Sequence, residues 1–145
     1  MSEAEIQRPK PRPLGEPVEF RVAAKLESLA VIRTLVNALA TVEDLDLDAI
    51  ADLRLAVDEA CTRLIRAAAP DATVVVTVEP HAGGLVITAS AACIGREILR
   101  RGTFSWHVIR SLTDDVQVSH DGVPVGGEGG VFSISMTARR LEPHR

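Results

Sequence analysis

Glu59 and Arg63 stand four residues apart in the run Asp52 to Ala68, DLRLAVDEACTRLIRAA, a spacing that sets both on one helix face. Two chemistries fit the pair. As an i,i+4 ion pair on a solvated face it adds about 0.2–0.5 kcal/mol of helix stability. As a carboxylate aimed into a cleft between helix and sheet, Glu59 serves instead as a general base. Cys61, one turn from Val57 and Leu64, reads as a small buried hydrophobe, with a regulatory Cys61–Cys93 disulfide as the alternative. The four histidines are dispersed and share no zinc spacing with the cysteines, so no metal site is expected. Phosphate loops of the GxxxxGK[ST] kind, a GxGxxG after a strand, HExxH and GxSxG are all missing, and no spacing of Ser, His and Asp picks out a triad.

At 145 residues the chain fits one domain and buries enough surface to need no disulfide or metal staple. Its 46% hydrophobic and 25% charged content argues against wholesale disorder. The aromatics are Phe20, Phe104, Trp106 and Phe132, too few for a base-stacking surface, and the net charge of −4 disfavours phosphate tracking. Direct DNA binding is therefore not expected. The opening MSEAEIQRPKPRP lacks the apolar core of a signal peptide, and no apolar run approaches the length of a membrane span. The expectation is a soluble cytoplasmic protein.

The elements that must position these residues follow from periodicity. Residues 1–16, with Pro9, Pro11 and Pro13, read as an extended tail, 17–141 as the domain, and 142–145 as a short C-terminal tail. Val18, Phe20 and Val22 alternate with charges as in a half-buried strand. Glu27 or Ser28 caps a helix carrying Leu29, Ile32, Val36 and Leu39. A long helix runs from Asp48 to Ala69, stopped by Pro70, with Ile50, Leu53, Val57, Ala60 and Leu64 as its inner stripe. Val74 to Val78 and Leu85 to Ala89 flank a Gly-containing turn and form a hairpin. A third helix fits Gly102 to Thr113 with Phe104, Val108, Ile109 and Leu112 on one side. Strands at Val116–Val118 and Phe132–Met136 follow, joined through the glycines at 126–130, which read as a plain connection or a ligand loop. The order predicts an α+β sandwich, one sheet covered on one face by helices.

The Asp52–Ala68 run resembles the N-box helix of RsbW-type anti-sigma factors, serine-protein kinases with the histidine-kinase-like ATPase fold. AAKLESLAVIRTLV (Ala23 to Val36) and WHVIRSLTDDVQV (Trp106 to Val118) resemble the family's first helix and the segment after its glycine-rich element. Within the family the chain looks most like the mycobacterial-type sigma F antagonists. The resemblance implies a two-layer α/β sandwich, with one mixed, mostly antiparallel sheet under three helices. It implies a homodimer that binds a sigma factor and keeps it off RNA polymerase, and an anti-anti-sigma factor competing for that surface. Many members also phosphorylate that partner using Mg-ATP.

Carried over residue by residue, the family's general-base glutamate falls on Glu59. Its magnesium-holding asparagine falls on Arg63, and a guanidinium has no lone pair for a cation. Its adenine-reading D-x-G-x-G falls near Ala89-Ser90, in ASAACIG, which has neither the carboxylate nor both glycines. The second glycine-rich element is reduced to Gly102 before Thr103 and Phe104, where Phe104 would crowd a phosphate. Arg63, Ser90 and Gly102 are thus the remaining nucleotide-binding candidates, and Mg-ATP is expected to be held weakly or lost. Arg63 pairing directly with a phosphate is the alternative. Arg33 falls where family members present an arginine to partners. The acidic run Glu43 to Glu59, seven carboxylates against Arg54, complements a basic sigma-factor surface, though a solvated helix start explains it equally.

Overall fold

The computed structural model describes residues 16–95, 98–121 and 130–140. The expected tails and the glycines at 126–129 lie outside these residues. The elements run β1 (Val18–Ala23), α1 (Leu29–Val42), α2 (Leu47–Ala67), β2 (Thr73–His81), β3 (Gly84–Cys93), α3 (Phe104–Leu112), β4 (Asp115–Asp121) and β5 (Gly130–Arg139). The five strands form one sheet in the order β1-β2-β3-β5-β4. Every pairing in it is antiparallel, so the sheet is wholly antiparallel and not mixed as expected.

Alternation along the strands gives the sheet two unlike faces. Val74, Val76 and Val78 of β2, Leu85, Ile87 and Ala89 of β3, and Phe132, Ile134 and Met136 of β5 are buried beneath the helices. The opposite face carries Val75, Thr77, Thr88, Ser90, Ser133 and Ser135, none of them fully buried. The expected two-layer sandwich is thus formed.

The helix α2 lies at the centre of the helical layer and packs on α1, α3, β3 and β5. Its predicted stripe of Ile50, Leu53, Val57, Ala60 and Leu64 is buried throughout, widened by Ala56, Cys61 and Ile65. The helix ends at Ala67 rather than Ala69. Pro70 disfavours helical backbone in the residue before it. Ala69 N–H instead donates to the Ala92 carbonyl, and Ile94 N–H donates to Ala67, so the exit from α2 is tied to the end of β3.

The β2–β3 hairpin turns at Ala82-Gly83, close to the predicted turn. Gly84 beside it has no room for a side chain, because a Cβ there would collide with the Ala138 backbone of β5. The first helix starts after Ser28, as expected, although the Ser28 side chain makes no capping hydrogen bond. The third helix departs more from expectation. It begins at Phe104, capped by Thr103, whose side chain accepts from Trp106 N–H. That phase turns Ser105, Trp106 and Ile109 inward and leaves Phe104 82% exposed. Phe104 therefore belongs to the surface and not to the apolar side of the helix.

Candidate functional site

Glu59 sits in the second half of α2, half-buried, on the flank that meets α3. Its carboxylate Oε2 accepts a 2.5 Å hydrogen bond from the Ser105 hydroxyl, in the first turn of α3. The Glu59 carboxylate is thus turned toward α3. Arg63 is exposed and makes no ion pair with Glu59.

Gly102 precedes the cap of the same helix with φ of +89°, a left-handed conformation that side chains rarely adopt. Nothing stands within 4 Å of where its Cβ would be, so the requirement is one of backbone shape rather than space. Glu59 and Gly102 are thus both associated with the α2–α3 junction. Ser90 is not. Its neighbours Ala89 and Ala91 are the inward residues of β3, and Ser90 lies opposite Val75 and Ser133 on the helix-free face. The sheet separates it from Glu59.

Ile98 and Leu99, in the short segment before α3, are buried in the core. Arg101 stacks over the Trp106 ring at 5.4 Å from its centroid. A cleft of about 450 Å3 beside them is walled by Trp106 and Arg110 of α3 and by β4. Glu59, Arg63, Ser90 and Gly102 take no part in its walls.

Arg33 of α1 reaches across to α2, its Nε 2.9 Å from Asp58 Oδ1 and its second nitrogen 3.4 Å from Oδ2. Glu43 is buried beside Arg140, which donates to its backbone carbonyl and to Ala82. Three of the seven acids in the Glu43–Glu59 run are therefore engaged internally: Glu43, Asp58 and Glu59. Asp46, Asp48 and Asp52 instead line a cleft of about 370 Å3 with Asp114 and Arg139.

Both cysteines are free and buried. Burial raises the Cys61 thiol to about 12, aided by the nearby Asp58 charge, and burial raises Cys93 to about 11. Neither is a thiolate nucleophile at neutral pH. Among the described residues no group of three or more His, Cys, Asp and Glu side chains could hold a metal ion. No described helix is long and apolar enough to cross a membrane.

The sequence reading missed Ser105 and Arg140. Ser105 was findable, because it shares a helix face with Ile109 and Leu112 and so had to point at α2. Arg140 gives no local signal, since its partner Glu43 lies 97 residues away.

Residues 22–128 match the model of the histidine kinase-like ATPase domain. The chain belongs to that family. It is 56% identical over 128 residues to the anti-sigma-F factor RsbW of Mycobacterium tuberculosis, in both strain CDC 1551 / Oshkosh and strain ATCC 25618 / H37Rv. Those alignments span 88% of this chain and 76% of the relative. The fold also resembles the solved RsbU and RsbW domains of Rv1364c from M. tuberculosis, with a TM-score of 0.65 at 19% identity. That match covers 89% of this chain and 34% of the other.

Proposed function

We propose that the protein is an anti-sigma factor that sequesters a sigma F-like sigma factor in the cytoplasm, as a homodimer, and releases it to an anti-anti-sigma partner. The observation that carries the reading is the 56% identity to anti-sigma-F factor RsbW across 88% of the chain. Occlusion needs a surface, not a turnover. The cleft of Asp46, Asp48 and Asp52 offers negative charge to a basic sigma-factor segment and speeds encounter. Arg33, half-exposed although paired with Asp58, offers a contact on the neighbouring helix.

The same reading makes the nucleotide site degenerate. The residues present do not fit Mg-ATP. Arg63 supplies a cation where the metal needs an oxygen, Ser90 is on the wrong side of the sheet, and Glu59 already has a hydrogen-bond donor in Ser105.

Affinity capture with the sigma factors of the same cell tests the proposal. One sigma factor is retained, with unchanged affinity after chelation of Mg²⁺, removal of nucleotide, or Glu59→Gln. Failure to retain any of them refutes the reading. Transfer of labelled phosphate to an anti-anti-sigma protein, abolished by Glu59→Gln, would replace it with the kinase.

A further inference from the structure

The strand β4 ends the sheet, with β5 on one side and no strand on the other among the described residues. The 450 Å3 cleft is walled by Asp115, Val116, Gln117 and Val118, four consecutive residues of this strand. Successive side chains of a strand point to opposite faces, so a single face cannot supply four neighbours in a row. The cleft therefore runs along the open backbone edge of β4. Such an edge leaves N–H and C=O groups that a further extended chain can pair with.

The rest of the cleft selects what that chain carries. Leu99, Trp106 and Val116 give an almost fully buried apolar floor. Arg101 and Arg110 are exposed at its walls, the former held over the Trp106 ring at 5.4 Å. The opposing charge, Asp115, accepts a 3.1 Å hydrogen bond from the Gln117 amide. Among the described residues, two guanidiniums thus face the cleft against one carboxylate that is already engaged. Planar guanidiniums favour carboxylates through paired hydrogen bonds.

We propose that the β4 edge is a docking site for an extended acidic segment of a partner protein, which adds a sixth strand to the sheet and pairs the carboxylates on its helix-facing side with Arg101 and Arg110. This site is separate from Glu59 and from the acidic cleft at the start of α2, and it does not depend on the sigma-factor reading.

Trp106 is the sole tryptophan of the chain and reports directly on the cleft. The probe is a terminally blocked hexapeptide of alternating valine and glutamate, titrated into the full-length protein. The expected result is a saturable change in Trp106 emission with a Kd below about 1 mM. The lysine counterpart binds at least about tenfold more weakly, and Arg110→Glu reverses that order. Methylating alternate backbone nitrogens of the acidic peptide abolishes binding, because the ladder loses its donors. Arg110 is exposed, so far-UV circular dichroism of the variant stays native. No saturable change, equal binding of the lysine peptide, or indifference to backbone methylation overturns the proposal. A sedimenting dimer that blocks the peptide does the same, since β4 then pairs with a second copy.

Discussion

The Ser105 hydroxyl and the Glu59 carboxylate, 46 residues apart in the chain, meet in a 2.5 Å hydrogen bond that fastens the first turn of α3 to the flank of α2. A hydrogen bond to an ionised, half-buried acceptor contributes more than a neutral one. It also fixes the one side chain that the family resemblance makes a base. Glu59 in this chain is a strut between two helices.

Removing either partner should therefore register as stability. Ser105→Ala and Glu59→Gln are each expected to cost about 1–2 kcal/mol in urea denaturation. The double variant should cost clearly less than the sum, as partners in one contact couple in a mutant cycle. Strict additivity would show that the two side chains do not work together in solution.

Arg33 and Asp58 give the contrasting case. Both are substantially exposed, at 47% and 31% of the side-chain surface, so their 2.9 Å contact is screened by water. Arg33→Ala should lower stability by less than about 1 kcal/mol. If Arg33 also touches the sigma factor, the same variant weakens capture at least about tenfold with its unfolding midpoint nearly unchanged. A midpoint that collapses along with binding would show a structural role alone.

Much of this arrangement was legible in the sequence, and the reasons are physical. The stripe from Ile50 to Leu64 repeats at the helical period, and burial of α2 follows from it. The β2–β3 hairpin is announced by β-branched runs around glycines. Phe104 was misread because a capped start at Thr103 sets the phase of α3, and hydrophobicity alone does not reveal phase. Ser90 faces the helix-free side of the sheet. Motif correspondence located it, whereas counting alternate residues from buried Ile87 and Ala89 puts it outward. Arg33–Asp58 and Glu43–Arg140 span 25 and 97 residues, and no local pattern encodes such pairs.

Glu43 and Arg140 form the pair whose loss should matter most to the fold. The Glu43 side chain is buried, with the Arg140 guanidinium 3.7 Å from Oε1. Arg140 also donates to the Glu43 and Ala82 carbonyls, joining the end of α1 to the β2–β3 turn. Arg140→Met leaves a carboxylate in the interior without that cation and is expected to cost about 3–5 kcal/mol. Replacing both, with Glu43→Leu added, should recover most of the loss, since an apolar pair avoids the desolvation penalty. Thermal or urea unfolding of the three variants checks this. A double variant no more stable than Arg140→Met would mean that the backbone contacts of Arg140, and not the charge pair, hold this corner.

The two thiols set the behaviour of the protein at alkaline pH. Burial raises Cys61 to about 12 and Cys93 to about 11, whereas both titrate near 9 when unfolded. Above pH 9 the unfolded chain gives up both protons while the folded one keeps them, so unfolding is favoured as pH rises. Stability should be full below pH 9 and then fall by about 1.4 kcal/mol per pH unit for each thiol. The fall from Cys93 levels off near 11 and that from Cys61 near 12. The window is unusually clean, because the chain has no tyrosine and its only lysines are Lys10 and Lys25. Urea denaturation at half-unit steps from pH 8 to about pH 10.5 measures the slope, against a double variant of Cys61→Ala and Cys93→Ala. The variant starts lower, through lost packing, but its curve should stay nearly flat across the window. A native protein whose slope matches that of the variant would mean that the thiols ionise as readily folded as unfolded, and a thiol reagent at pH 8 should then label them without denaturant.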